Sequence, residues 1–240
     1  MEIRRFFFFF SDINGTFVTL TGDEFLHMVK VLRYKVGFKA IVCANDGVER
    51  LCTVKEIGKD FATLVIDKET AVDVKKAHVT LFAGLLKNNK LDFVFQKAVE
   101  LGVDKIVPFV SANCAETKFS QDRAEKIALE AAKQCGSAYL SKVGALENFD
   151  TVLSSFKDFD TVLFAYENEK KNRIKDCLYK GKNIALVVGP EGGFTQEETD
   201  KAKECGATII TLGRRILRAE TASIVSCALL LDHLGELDYE

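Results

Sequence analysis

Two stretches of this 240-residue chain, 79–86 and 184–188, are almost wholly apolar and lack the alternation of a half-buried strand. A strand covered on both faces reads this way. Such strands belong to parallel sheets whose helical crossovers cover both sides. The intervening sequence supplies the crossovers. Residues 91–101 place Leu91, Phe95, Ala98 and Leu101 at helical spacing and stop at Gly102, and 123–135 reads as a second helix. Residues 195–205 open on a capping box, Thr195 with Glu198, and end at Gly206. Strands at 105–110, 161–165 and 207–212 and a long terminal helix at 219–234 complete the alternation. Residues 73–240 are therefore expected to form an α/β domain around a parallel sheet.

Residues 1–72 follow a different rhythm. Short runs rich in β-branched and aromatic residues, at 6–10, 16–20, 40–43, 51–57 and 61–66, are separated by Asn14-Gly15, Asn45-Asp46-Gly47 and Gly58-Lys59-Asp60. Short strands with turns at this interval predict a small β-barrel. One helix, over 21–32, interrupts them; Phe25, Met28, Val29 and Leu32 share a face, and Thr21 and Glu24 have capping-box spacing. Arg4-Arg5 followed by Phe6 through Phe10 superficially resembles an export signal. The apolar run ends at Ser11-Asp12, short of the roughly 7–15 residues such a signal needs, so a first strand is expected instead.

The charge balance, 33 basic against 35 acidic side chains, excludes holding a polyanion by bulk charge; any such partner needs a local patch. Residues 1–75 are balanced too, with 11 of each sign, but Arg4, Arg5, Lys30, Arg33 and Lys35 cluster within them. No apolar stretch approaches the ~20 residues of a membrane span. Seven cysteines form no Cys-x-x-Cys pair and His27, His78 and His233 have no ligand spacing, so no metal site is expected. Reduced thiols and a cytoplasmic location fit this pattern.

Two loops stand out. Gly189-Pro190-Glu191-Gly192-Gly193-Phe194 follows the 184–188 strand and precedes a capped helix. It is neither a P-loop, lacking the Gly-Lys-Ser/Thr ending, nor a dinucleotide fingerprint, lacking Gly-x-Gly-x-x-Gly. Leu212-Gly213-Arg214-Arg215-Ile216-Leu217-Arg218-Ala219-Glu220-Thr221-Ala222 joins the last strand to the last helix. Both fall at the carboxyl ends of strands, where open α/β sheets bind ligands.

At these loops the chain resembles the bacterial 16S ribosomal RNA uracil-N3 methyltransferases of the SPOUT superfamily. The likeness includes Arg4-Arg5-Phe6-Phe7, His27-x-x-Lys30-Val31-Leu32-Arg33 with Gly37, and Gln96-Lys97-Ala98-x-Glu100-Leu101-Gly102-Val103. It continues through Ile106-x-Pro108 and Glu130-Ala131-Ala132-x-Gln134-Cys135-Gly136. The chain departs from the family pattern at Asn113 and Ser137, near which the family has Arg, at Arg214, where it has Pro, and at Ala219, where it has Thr.

The resemblance implies a PUA-like RNA-binding β-barrel over 1–72 and an α/β trefoil-knot methyltransferase domain over 73–240. It implies a homodimer, S-adenosylmethionine as cofactor, and 16S rRNA or the small ribosomal subunit as partner, methylated at N3 of a uridine in the decoding region. Carried onto this chain, cofactor binding falls to Gly189, Glu191, Gly192, Gly193, Leu212, Gly213, Ile216, Leu217 and Ala222. Uridine N3 is protonated at neutral pH and must lose that proton to attack. Glu220 and Glu191 are the candidate carboxylates and Arg218 the candidate cation for the developing charge. RNA contacts are expected from Arg4, Arg5, Lys30, Arg33, Lys35 and Arg215. Two alternatives stand beside this reading. One is another SPOUT methyltransferase acting on a ribose 2′-hydroxyl or a tRNA base; the other is a non-catalytic RNA-binding assembly factor.

Overall fold

A computed structural model describes residues 3–7, 12–72, 74–87 and 89–238. The chain divides into two units, residues 1–74 with 132–140, and residues 75–131 with 141–240.

The first unit is built on a mixed six-stranded sheet. Its strands are β1 (Arg5–Phe7), β2 (Ile13–Asn14), β3 (Phe17–Thr21), β4 (Lys39–Cys43), β5 (Val48–Ile57) and β6 (Phe61–Ala71), in the order β1-β4-β5-β6-β3-β2. Only β1 and β4 run parallel. Val18, Leu20, Ala40, Val42, Cys52, Val54, Ala62 and Leu64 alternate with outward residues and form the core with Phe6, Phe25 and Met28. Of the expected 6–10 strand, Phe8, Phe9 and Phe10 lie outside the described residues.

The segment 21–32 is not one α-helix. It runs as α1 (Gly22–Leu26) and then widens into a π-helical turn, His27–Val31, closed by Leu32 N–H donating to the His27 carbonyl at 3.0 Å. Nor does the capping box form: Thr21 makes no side-chain cap, because Glu24 accepts the Phe7 N–H and pairs with Lys133. The residues added from further along the chain are fastened similarly. Leu140 N–H donates to Asn45 Oδ1 at 2.8 Å, and the Tyr139 hydroxyl occupies the space a side chain at Gly47 would need.

The second unit contains a wholly parallel sheet. Its strands are β7 (His78–Gly84), β8 (Lys105–Val110), β9 (Lys142–Val143), β10 (Glu147–Asn148), β11 (Thr161–Ala165), β12 (Asn183–Val188) and β13 (Thr208–Ile210). They are ordered β10-β8-β7-β12-β11-β13, with β9 on β8. The apolar runs 79–86 and 184–188 fall in the two central strands, paired in register from His78/Asn183 to Ala83/Val188. The helices are α2 (Lys90–Leu101), α3 (Gln121–Cys135, its last four residues belonging to the first unit), α4 (Phe149–Ser155), α5 (Gln196–Glu204) and α6 (Ala219–His233). On one face, Phe82, Phe109, Phe164, Val187 and Ile209 pack with Phe149 and Val152 of α4 and Ala202 of α5. On the other, α6 packs against α2, β7 and β12. Helix α4 and strands β9 and β10 were not evident in the sequence; they are too short for a periodic signal.

Strand β12 enters between β7 and β11, two strands that precede it in the chain. The connection from β11 to β12 folds back over the end of β13. Thr211 N–H donates to the Asn172 carbonyl at 2.8 Å, and Ile174 is buried in a short turn against α6. The two constrained loops are thereby brought to the same carboxyl edge.

Candidate active site

The glycine loop is held by its neighbours before any ligand is considered. Phe194 is buried, 4.2 Å from Phe164 between ring centroids and stacked on Phe109. The predicted capping box of α5 is present: the Thr195 hydroxyl accepts the Glu198 N–H, and Glu198 Oε2 accepts the Thr195 N–H at 2.9 Å. Glu198 Oε1 also accepts the Ala112 N–H at 2.8 Å, so one buried carboxylate ties two loops together. Asn113 donates its amide to the carbonyls of Gly192 and Gly193 at 3.2 and 3.3 Å. Asn113, one of the departures from the family pattern, thus braces the glycine loop. Gly84, at the end of β7, lies so close that an added Cβ would stand 2.8 Å from Gly189 C and Pro190 Cδ.

The second loop turns at Gly213, whose φ of 115° is open to glycine at little cost. Its N–H donates to the Thr211 hydroxyl at 3.2 Å. Beyond it Arg214, Arg215, Ile216 and Arg218 are exposed, and Arg218 is the N-cap of α6.

Together the loops enclose a cleft of about 510 Å³. Every residue expected to hold the cofactor lines it: Gly189, Glu191, Gly192 and Gly193 from the first loop, Leu212, Gly213, Ile216 and Leu217 from the second, and Ala222 from α6. Arg215 and Arg218 line it as well. Glu220 does not, but its Oε2 lies 3.9 Å from Nζ of Lys90, which does. Lys90 Nζ is also 2.9 Å from Glu191 Oε1, and the Lys87 N–H donates to the same carboxylate. Burial works against the charge on Glu191, but the Lys90 hydrogen bond and the Lys87 amide hold its carboxyl below the usual carboxylate range.

The sequence reading gave no site role to Lys90, Tyr166, Glu167 or Gly84, and marked Asn113 only as a departure from the family pattern. Tyr166 and Glu167 end β11 beside the glycine loop, and strand order alone brings them there. No local motif marks any of the five.

The basic cluster of the first unit divides. Lys30, Arg33 and Lys35 are exposed, and Arg33 adopts a left-handed φ of 57° just after the π turn. Arg4 is exposed too, its backbone N–H donating to the Tyr34 hydroxyl. Arg5 differs: its side chain is only 10% exposed and bonds Glu49 at 2.8 Å and Cys43 at 3.2 Å. Its guanidinium is occupied inside the unit. Among the described residues no group of three or more His, Cys, Asp or Glu could hold a metal ion, and no helix is long and apolar enough to cross a membrane.

Comparison with known proteins gives two family matches along the chain. A family described as the RNA methyltransferase domain matches residues 73–231, and an RNA methyltransferase PUA domain matches 20–67. The chain is 34% identical to ribosomal RNA small subunit methyltransferase E of Bacillus subtilis, covering 86% of each sequence. It is 33% identical to the protein of the same name from Mesomycoplasma hyopneumoniae, over 90% of this chain and 95% of that one. The solved structure of ribosomal RNA small subunit methyltransferase E from Neisseria gonorrhoeae bound to S-adenosyl methionine superposes with a TM-score of 0.85 at 26% identity, covering 96% of this chain and 98% of that one. The likeness thus spans the mixed sheet, the parallel sheet of SPOUT type and both cleft loops, and this chain belongs to the ribosomal RNA small subunit methyltransferase E family.

Proposed function

We propose that this protein transfers a methyl group from S-adenosylmethionine to N3 of a uridine in the decoding region of 16S rRNA. The observation that carries this reading is the convergence of the 189–193 and 212–218 loops on one cleft, in a chain that matches over 96% of its length a relative solved bound to that cofactor.

The residues fit the group. The cleft has the size of a small-molecule site. Leu212, Ile216 and Leu217 offer an apolar slot for an adenine, and the Glu167 and Glu191 carboxylates suit hydroxyl and cationic groups. Gly189, Gly192 and Gly193 line the cleft, and the space a side chain would need at each is taken by Phe194, Asn113 and Glu167, which fixes the loop's backbone in place. Bound there, S-adenosylmethionine supplies an electrophilic methyl on a sulfonium.

This chain's own residues position the acceptor and manage its proton. Positioning two reactants in line is worth up to ~7–11 kcal/mol. Arg218 lines the cleft with no ion pair among the described residues, and serves the negative charge that develops on the uracil ring. Of the two carboxylates, Glu191 lines the cleft and is engaged by Lys90 and Lys87. Glu220 stands outside the cleft lining with its Oε2 buried, so Glu191 is the carboxylate an acceptor in the cleft can reach, and we assign the N3 proton to it. Lys30, Arg33, Lys35 and Arg4 on the first unit and Arg215 on the second are the RNA contacts. A homodimer would present each patch twice; exposed Phe93 and Leu229, on helices that pack together, support such an interface. An enzyme of ribosomal subunits works in the cytoplasm.

The test is transfer of a labelled methyl group to small subunits lacking the modification, followed by digestion to nucleosides. Recovery of labelled 3-methyluridine is the expected outcome; label on a ribose, or on no nucleoside, defeats the reading.

A further inference from the structure

Glu191 and Glu167 both line the cleft, but their carboxylates are placed differently. Glu191 is committed to the Lys90 ammonium at 2.9 Å and to the Lys87 N–H. Glu167 makes no hydrogen bond or ion pair among the described residues, although Arg214, Arg215 and Arg218 line the same cleft. The backbone that carries it is nevertheless pinned on both sides. Tyr166 N–H donates to the Ile210 carbonyl at 3.0 Å, and the Tyr166 hydroxyl accepts the Asn168 amide at 3.0 Å. Glu169 Oε1 accepts the N–H groups of Lys170, Lys171 and Asn172, and the Asn172 carbonyl accepts the Thr211 N–H at 2.8 Å. The turn is held by its neighbours, while the carboxylate it presents is left uncommitted.

Strand order sets where that carboxylate stands. β11 lies between β12 and β13, so the turn that follows it lies between the glycine loop and the 212–218 loop. On the glycine-loop side, Glu167 Oε1 is 2.6 Å from where a Cβ at Gly193 would be. Glycine at 193, with a φ of 66° that side chains rarely adopt, leaves the carboxylate its place. On the other side, the Tyr166–Ile210 bond ties the turn to the strand that leads into the apolar slot of Leu212, Ile216 and Leu217. A ligand with its adenine in that slot and its remainder toward the glycine loop passes Glu167. In S-adenosylmethionine the group joined to adenine is the ribose. Its adjacent 2′- and 3′-hydroxyls are two donors, and an ionised carboxylate is an acceptor with two oxygens to receive them. An acidic side chain that takes a ribose hydroxyl beside the ligand loop is a recurring device of open α/β sheets.

We infer that Glu167 is the specificity-determining residue for the ribose of the cofactor, accepting its hydroxyl pair and discriminating against a 2′-deoxy ligand. Its role is recognition, and no proton or bond changes hands at Glu167. The inference rests on the reading of the cleft as an S-adenosylmethionine site and is independent of which RNA atom is methylated, so its test needs no RNA. The ammonium at the other end of the cofactor is the competing donor for this carboxylate, and the ligands of the test separate the two.

Titration calorimetry of the wild type and Glu167→Ala with S-adenosylmethionine, S-adenosylhomocysteine and the 2′-deoxy form of S-adenosylhomocysteine decides it. Glu167 is exposed, so the variant should keep the wild-type melting temperature. A hydrogen bond to a charged group is worth roughly ten- to a hundredfold in affinity, and an exposed carboxylate belongs at the low end. Glu167→Ala should therefore bind S-adenosylmethionine and S-adenosylhomocysteine about tenfold more weakly. The wild type should prefer S-adenosylhomocysteine to its 2′-deoxy form by about tenfold, and the variant should show no preference. Unchanged affinity in Glu167→Ala overturns the inference, as does a wild type indifferent to the 2′-hydroxyl. A weakened variant that keeps the wild-type preference also overturns it, because the carboxylate then serves the ammonium or the net charge. Wild-type protein that binds none of the three overturns the cofactor reading and this inference together; protein that binds them but methylates nothing fails only the proposed transfer, and the same titrations still judge Glu167.

Discussion

Gly84→Ala is the sharpest probe of the cleft, because it alters one atom outside it. Gly84 ends the central strand β7 with a backbone that alanine can adopt, so no dihedral strain confuses the result. The new Cβ would meet Gly189 C and Pro190 Cδ at 2.8 Å, where ordinary contact begins at 3.4 Å, and would crowd the Pro190 nitrogen most of all. These are backbone and ring atoms, which cannot rotate away. The glycine loop must retreat by about 0.6 Å or more. Overpacking of this kind typically costs ~1–3 kcal/mol, and displacements near 1 Å in a site can cost up to ~100-fold in rate. The expected result is a loss of S-adenosylmethionine affinity of about tenfold, ~1.4 kcal/mol, by titration calorimetry, with a modest fall in melting temperature. Affinity within twofold of wild type, whatever the melting temperature, would refute the argument that Gly84 sets the position of this loop.

Asn113→Ala removes both donors to the Gly192 and Gly193 carbonyls; at ~1 kcal/mol per net hydrogen bond it should raise the KM for the cofactor several-fold and leave RNA affinity unchanged, measured by steady-state kinetics and filter binding. Replacing Lys30, Arg33 and Lys35 together by Ala should flatten the salt dependence of RNA binding by roughly 0.7–0.9 per lost phosphate contact; an unchanged slope would return them to solvated surface charge. Asp46→Asn tests a stability device in the first unit. The Arg50 hydrogen bond holds the Asp46 carboxyl below its ordinary 3.8, so its contribution is present above that value and lost as pH falls through the depressed one. Because Asp46 is exposed and the pair is screened by solvent, urea unfolding should show a deficit of only ~0.5–1 kcal/mol at pH 7 that narrows in acid; a deficit constant with pH would contradict it.

Much of the second unit was legible in the sequence because its signals are local. The 79–86 and 184–188 runs, the Thr195–Glu198 box and the stop at Gly102 each depend on spacing within a few residues, and each appears in the structure. Glu24 shows where such reasoning stops. Its spacing from Thr21 suits a capping box, but the Phe7 N–H and Lys133 claim the carboxylate from 17 and 109 residues away. Arg5 is similar: adjacent to Arg4 in sequence, it is turned inward by Glu49 of β5, across the sheet.

The active-site candidates divide along the same line. The sequence by itself determined the two loops and their residue types, since glycine spacing, an arginine run and an acidic first helical turn are written in consecutive positions. Only the tertiary structure decided which residues stand behind those loops. Strand β12 enters between β7 and β11, and this places Gly84, Tyr166 and Glu167 against Gly189–Phe194. Packing of α2 on α6 brings Lys90 between Glu191 and Glu220, 101 and 130 residues further along the chain. Contacts at such separations arise from strand order and helix packing, which depend on the burial of the whole core and leave no mark on the neighbours of any one residue.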